Sequence, residues 1–131
     1  MKLLLDTHIW LWALLEPELL AAPVRDALQS PENELWLSPV SVWEATMLAE
    51  RGRVVVTSDV QAWVRGLLAA LPRREAPLTF EVALMSRRLE LAHQDPADRF
   101  IAASACVHEL TLVTADERLL EANGYAVLAN R

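Results

Sequence analysis

Glycine and cysteine are scarce in this chain, and the scarcity removes several chemistries at once. Three glycines, Gly52, Gly66 and Gly124, stand far apart in 131 residues. Neither a Walker loop nor a dinucleotide fingerprint can be built from them, because both need clustered glycines where backbone approaches phosphate. The single cysteine, Cys106, excludes an internal disulfide framework and a thiolate zinc site, and fits a reducing cytoplasm. Its Ala-rich helical surroundings mark it as a small core residue. His8, His93 and His108 lack close metal-ligand spacing, and there is no Gly-x-Ser-x-Gly elbow for a serine hydrolase. No apolar run approaches the ~20 residues that cross a bilayer, and Lys2, a short apolar run and then an acid make a poor signal peptide. Lysine is almost missing as well: of twelve basic residues only Lys2 is not arginine, and the net charge is −6. A polyanionic substrate would therefore need local help, from a metal or from clustered arginine.

What the chain has in quantity is apolar residues, 53% of the total, enough for a genuine core. No linker, repeat or low-complexity tract divides it, so one domain is expected over residues 1–131. Leu3-Leu4-Leu5 is wholly apolar, stops at Asp6-Thr7-His8, and is followed by the apolar Ile9–Leu15. A run buried on both sides and feeding a helix reads as a central parallel strand. Asp6 then stands at a strand's carboxyl end, where open α/β sheets collect ligands. Leu110–Asp116 repeats the pattern. Further strands are expected at 34–38 and 125–128, with 54–56 extended and 73–78 a linker or edge strand. Helices are expected at 8–15, 17–29, 40–51 (Ser38 as cap, Pro39 opening it, Gly52 ending it), 59–71 (capped by Ser58 or Asp59), 79–91, 97–107 and 116–122. In the 79–91 helix Val82, Leu84 or Met85, and Leu89 are expected to face inward. Strands alternating with helices give a three-layer α/β domain, its parallel sheet flanked by helices on both faces.

The remaining chemistry lies in carboxylates. Asp6 and Asp116 follow strands, Glu44 lies in the first turns of a helix, and Asp98 lies at another helix start. Four acids in one crevice repel unless a cation or a proton intervenes, and hard cations such as Mg²⁺ and Mn²⁺ prefer oxygen ligands. Each acid also has a structural reading. Ser41-x-x-Glu44 and Thr114-x-x-Glu117 are capping-box patterns, and Asp95-Pro96-Ala97-Asp98 is a cap, a first-turn proline and a dipole-favoured acid. Asp6, ending a buried strand, is the hardest to explain as structure alone. Of the five tryptophans, Trp10, Trp36 and Trp43 fall in apolar patterns and Trp12 and Trp63 are expected to be partly exposed. Packing is favoured over base stacking for all five, since stacking aromatics usually sit among basic residues. Arg73-Arg74 and Arg87-Arg88 are candidate contacts for a polyanionic substrate, although surface arginines are more often simply solvated.

Leu4-Leu5-Asp6-Thr7-His8, Ser41-Val42-Trp43-Glu44, Asp95-Pro96-Ala97-Asp98-Arg99 and Leu112-Val113-Thr114-Ala115-Asp116-Glu117 resemble, in order, the motifs of PIN-domain nucleases, and most closely the VapC-type toxins of toxin–antitoxin pairs. The resemblance spans essentially the whole chain. It implies a Mg²⁺- or Mn²⁺-dependent endoribonuclease, a tightly bound antitoxin and, as is usual in the family, a homodimer; a cytoplasmic location and no membrane association are the expectations from the lone cysteine and the lack of a spanning run. Carried over by position, Asp6, Glu44, Asp98 and Asp116 match the acidic, metal-holding and catalytic quartet. Thr7 and Thr114 match hydroxyl positions that orient waters or carboxylates, and Asp95 the cap that fixes the Asp98 loop. Arg99 matches a position where it would approach RNA phosphate or pair structurally. The chain departs from many relatives at Leu48, where lysine is common, at Ala97, where a bulky aromatic is common, and at Ser104, where glutamine is common. Two rival readings are a non-catalytic α/β binding module whose acids are caps, and a metal-dependent DNase or phosphatase on the same framework.

Overall fold

A computed structural model describes residues 1–57, 59–91 and 94–131. Five strands form one sheet in the order β3-β2-β1-β4-β5, every neighbouring pair parallel. They are β1 (Lys2–Leu5), β2 (Glu34–Leu37), β3 (Arg74–Glu75), β4 (Thr111–Thr114) and β5 (Val127–Ala129). The helices are α1 (Thr7–Leu15), α2 (Ala22–Gln29), α3 (Pro39–Glu50), α4 (Val60–Ala70), α5 (Phe80–Arg88), α6 (Pro96–Val107) and α7 (Glu117–Leu120), with a 3-10 turn at Pro17–Leu19.

The apolar run of β1 is buried because it feeds two cores. Side chains alternate across a strand, so Leu4 joins α5, α6 and α7 residues in one cluster. Leu3 and Leu5 join α1, α2 and α4 residues in the other. One helical layer thus covers each face, as the alternation of strands and helices predicts. β1 lies between β2 and β4, and the chain runs outward through β2 and β3 before returning across β1 to β4. The reversal opens a crevice at the carboxyl ends of β1 and β4, as open parallel sheets do.

Local signals place several elements well. Ser38 accepts from the Val40 N–H with Pro39 opening α3. At the far end Gly52 has φ 69°, its N–H donates to Ala49 and that of Arg53 to Leu48, a Schellman ending that only a left-handed residue permits cheaply. Asp59 caps α4; the alternative cap, Ser58, lies outside the described residues, as does His93. Other expectations need correction. The helix expected from Pro17 is a 3-10 turn, and α2 restarts at Ala22 with a second proline in its first turn. The 79–91 helix ends at Arg88; Met85 rather than Leu84 packs on the core. Cys106 is only half-buried, and Trp43 is 57% exposed.

Candidate active site

The two strand-end acids are joined through one threonine. Asp6 continues β1 far enough for its N–H to donate to the Val113 carbonyl (3.0 Å). Its carboxylate then caps α1, accepting from the Thr7 N–H (2.9 Å), while the other oxygen accepts the Thr114 hydroxyl (2.6 Å). Thr114, the wholly buried last residue of β4, accepts in turn from the Asp116 N–H (3.0 Å). Asp116 caps α7 through the Arg118 N–H (2.9 Å), and both its oxygens lie 3.4 Å from the Arg118 guanidinium. A fixed chain of hydrogen bonds therefore runs Asp6–Thr114–Asp116.

The two helix-borne acids arrive differently. Because Ser38 is the cap, Ser41 sits inside α3 and is buried. Its hydroxyl meets the Thr7 hydroxyl at 2.9 Å, and Thr7 Oγ1 lies 2.5 Å from Glu44 Oε1. One hydroxyl has a single proton, so Thr7 donates it to the carboxylate and accepts from Ser41. The capping-box reading of Ser41-x-x-Glu44 is thus replaced by a tertiary tie between α1 and α3. Thr114-x-x-Glu117 is no capping box either, since Glu117 accepts from Arg131 instead. Asp95 does cap α6, accepting from the Ala97 N–H (3.0 Å), and Asp98 stands in the first turn behind it.

Asp6, Glu44, Asp95, Asp98 and Asp116 line one cavity of about 430 Å³. Their proton affinities record the crowding. Burial, followed by the repulsion of Asp6, Asp95, Glu44 and Asp116, pushes the Asp98 carboxyl up to about 7. Burial raises Asp6 as well, against the lowering effect of the Thr114 and Thr7 hydrogen bonds. Glu44 is raised first by burial, with its Thr7 bond opposing. Tyr125, its hydroxyl on the Leu119 carbonyl (2.8 Å), is raised to about 12 by burial and by Asp116, Asp6 and Asp98. Among the described residues no three His, Cys, Asp or Glu side chains are drawn into a direct ligand shell. The donor set is all oxygen and strongly negative. It fits a hard cation that keeps part of its water and binds some carboxylates through it.

Arg99 lies elsewhere. It is 6% exposed, and its guanidinium donates to the Ser86 (2.8 Å) and Leu89 (2.7 Å) carbonyls. This fastens α6 to the end of α5 and corrects the phosphate-contact expectation. Besides Ala115, three cavity side chains were given no site role in the sequence: His8, Trp12 and Arg118. His8 and Trp12 carried a signal, being the i and i+4 positions of α1 that share its face with the crevice. Their rings lie 5.8 Å apart. Arg118 had none beyond its place two residues after Asp116.

The PIN domain model matches residues 3–125. Ribonuclease VapC22 of Mycobacterium tuberculosis is 34% identical over 117 residues, 88% of each chain. The fold is similar to that in VapBC2 from Rickettsia felis bound to a DNA fragment from its promoter (TM-score 0.72, 15% identity, 98% of each chain). It is also similar to DNA-bound VapBC from Salmonella typhimurium (TM-score 0.72, 21% identity, 98% of each chain). With residues 3–125 matched by the family model and 34% identity to that ribonuclease over 117 residues, the chain belongs to the PIN-domain family.

Proposed function

We propose that the chain, acting as one domain over residues 1–131, is the toxin of a toxin–antitoxin pair and hydrolyses RNA phosphodiester bonds as an endoribonuclease. The observation that carries this reading is convergence: acids from four separate segments line one cavity at the sheet's switch point. Supporting it is the 34% identical relative, itself named a ribonuclease. Asp6, Asp98, Glu44 and Asp116 would hold Mg²⁺ or Mn²⁺, directly or through waters. When bound, such a cation activates water and stabilises the leaving oxygen of a phosphodiester.

The chain's own residues supply the frame for that chemistry. Thr114 and Thr7 fix the lone pairs of Asp6 and Glu44, the task of outer-shell donors at metal sites. Asp95 sets the start of α6 and thereby the position of Asp98. Asp116, held by Arg118, closes the opposite wall. Structural neighbours are toxin–antitoxin assemblies such as VapBC-5 of M. tuberculosis. A cognate antitoxin presenting Arg or Lys would suit the acidic cavity by charge complementarity. Among the described residues no helix is long and apolar enough to cross a membrane; we place the protein in the cytoplasm as a homodimer.

The test is incubation of the purified protein with total RNA and Mg²⁺, mapping new ends, alongside single-stranded DNA and a small phosphomonoester. RNA cleavage that EDTA stops, and that folded Asp6→Asn and Asp98→Asn lose, is expected. Cleavage of DNA or the monoester alone would shift the reading to the rival nuclease or phosphatase, and full activity in either variant would refute the site.

A further inference from the structure

The acidic cavity does not end at its carboxylates. A second cavity of about 270 Å³, lined by His8, Leu11, Trp12, Glu16, Leu48 and Arg53, adjoins it and shares His8 and Trp12 with it. The two pockets have opposite chemistry. The first is walled by acids. The second offers an apolar floor from Leu11 and Leu48, a half-buried indole with an exposed imidazole tilted 55° against it, and an exposed guanidinium. Arg53 is brought there by the Schellman ending of α3, which turns the chain back at Gly52. Among the described residues it forms no ion pair, unlike Arg118, which is engaged with Asp116.

We propose that this side cavity is the subsite for the nucleotide flanking the scissile phosphate of a single-stranded RNA, its base against Trp12 and its outer phosphate on Arg53. The inference rests on the nuclease reading and gives it a substrate-selecting element. Three observations favour a nucleotide as occupant. The cavity shares the His8 and Trp12 wall with the crevice where a phosphodiester would be cut. It pairs an aromatic face with a cation, the combination that binds bases and backbone without needing a duplex. And Arg53 supplies a local positive charge that a chain of net charge −6 otherwise withholds from a polyanion. Packing is the sequence expectation for Trp12 because stacking aromatics usually sit among basic residues; the fold brings Arg53 to it, beside the helix neighbour His8. Trp12 also packs on the core beneath, so it is a rigid platform. Glu16, an acceptor at the rim, favours bases that carry an exocyclic amine.

The experiment uses the full chain carrying Asp98→Asn to prevent cutting, and a fluorescein-labelled single-stranded hexaribonucleotide of mixed sequence, read by anisotropy over a salt series. Trp12→Leu is expected to weaken binding roughly tenfold, the range of one base–aromatic stack. Trp12→Phe should recover most of the loss. Arg53→Gln, on an exposed turn with no part in the core, should weaken binding several-fold and lower the salt slope by about one. In the cleaving parent background, Trp12→Leu should raise KM far more than it lowers kcat and flatten the base preference at one position beside the cut. Binding and cut-site profiles indifferent to both Trp12→Leu and Arg53→Gln, in a protein that cleaves RNA, overturn the subsite and leave the nuclease reading intact; this is also the pattern expected if a partner protein occupies the cavity. RNA bound through Trp12 and Arg53 without cleavage by the parent would do the reverse. Absence of both binding and cleavage overturns the two together.

Discussion

The two halves of the acidic crevice are built on different principles. Asp6 and Asp116 are each a helix cap as well as a cavity wall, and one buried threonine links them. Asp98 has ceded the cap to Asp95, and Glu44 stands in the second turn of α3 on a single hydroxyl. The strand side is therefore fixed by bonds the fold needs anyway. On the helix side the Asp98 carboxyl is pushed up to about 7, chiefly by burial and by its neighbours' charge. Cap and ligand are not competing explanations for Asp6, since one carboxylate has lone pairs enough for both.

The largest effect that separates the halves concerns how the helix side is anchored. Arg99→Met removes the donor to two buried carbonyls between α5 and α6. It should cost about 3 kcal/mol of stability, measured by urea unfolding, while leaving the salt slope of RNA binding unchanged. Lysine is not expected to rescue it, because a point charge cannot reproduce the fork. Next, on the strand side, Thr114→Val keeps shape but frees Asp6 from its orienting donor. Loss of such an outer-shell partner typically costs ten- to a hundred-fold in metal affinity or activity; a Mn²⁺ titration and cleavage rates would check it.

Opposite signs are expected when each half loses an acid from the metal-free protein. Asp6→Ala removes the α1 cap and strands the Thr114 hydroxyl, a loss of about 2 kcal/mol. Asp98→Asn removes a repelling charge and should raise Tm at pH 8. The smallest effect is the pH trend itself. A carboxyl whose folded pKa is raised binds more protons folded than unfolded between the two values. Its stabilising contribution is full below about 4 and is lost as pH rises through about 7. Metal-free protein should therefore melt at lower temperature at pH 8 than at pH 5, with the decline reduced in Asp98→Asn and offset by Mn²⁺. A flat or rising profile in the parent would show that the crowding of these carboxylates does not oppose folding.

Much of this was legible wherever a residue's role is set by its immediate neighbours in the chain. Leu3–Leu5 ending at Asp6, Ser38-Pro39, Asp95-Pro96 and the Gly52 ending all declare themselves within a few residues, and each places an acid or a turn at the crevice. What stayed hidden depends on docking between elements. Ser41 and Glu44 match a capping box at the level of spacing, yet Thr7, 34 residues from Ser41, takes both. Arg99 sits beside a cavity acid in sequence, but the packing of α6 on α5 turns it inward. Trp43, apolar in pattern, lies on the outward face of α3. The Trp12–Arg53 cavity needs a helix and a distant turn to meet, and no local spacing encodes that.

The four acids are proposed to act together as one binding site for a divalent cation. Isothermal titration of Mn²⁺ into the metal-free protein at pH 7 measures it directly, compared with folded Asp6→Asn and Asp98→Asn. Binding accompanied by proton release, weakened at least tenfold (about 1.4 kcal/mol) in both variants, is the predicted result. Equal affinity in all three proteins, or no binding by the folded parent, would contradict it.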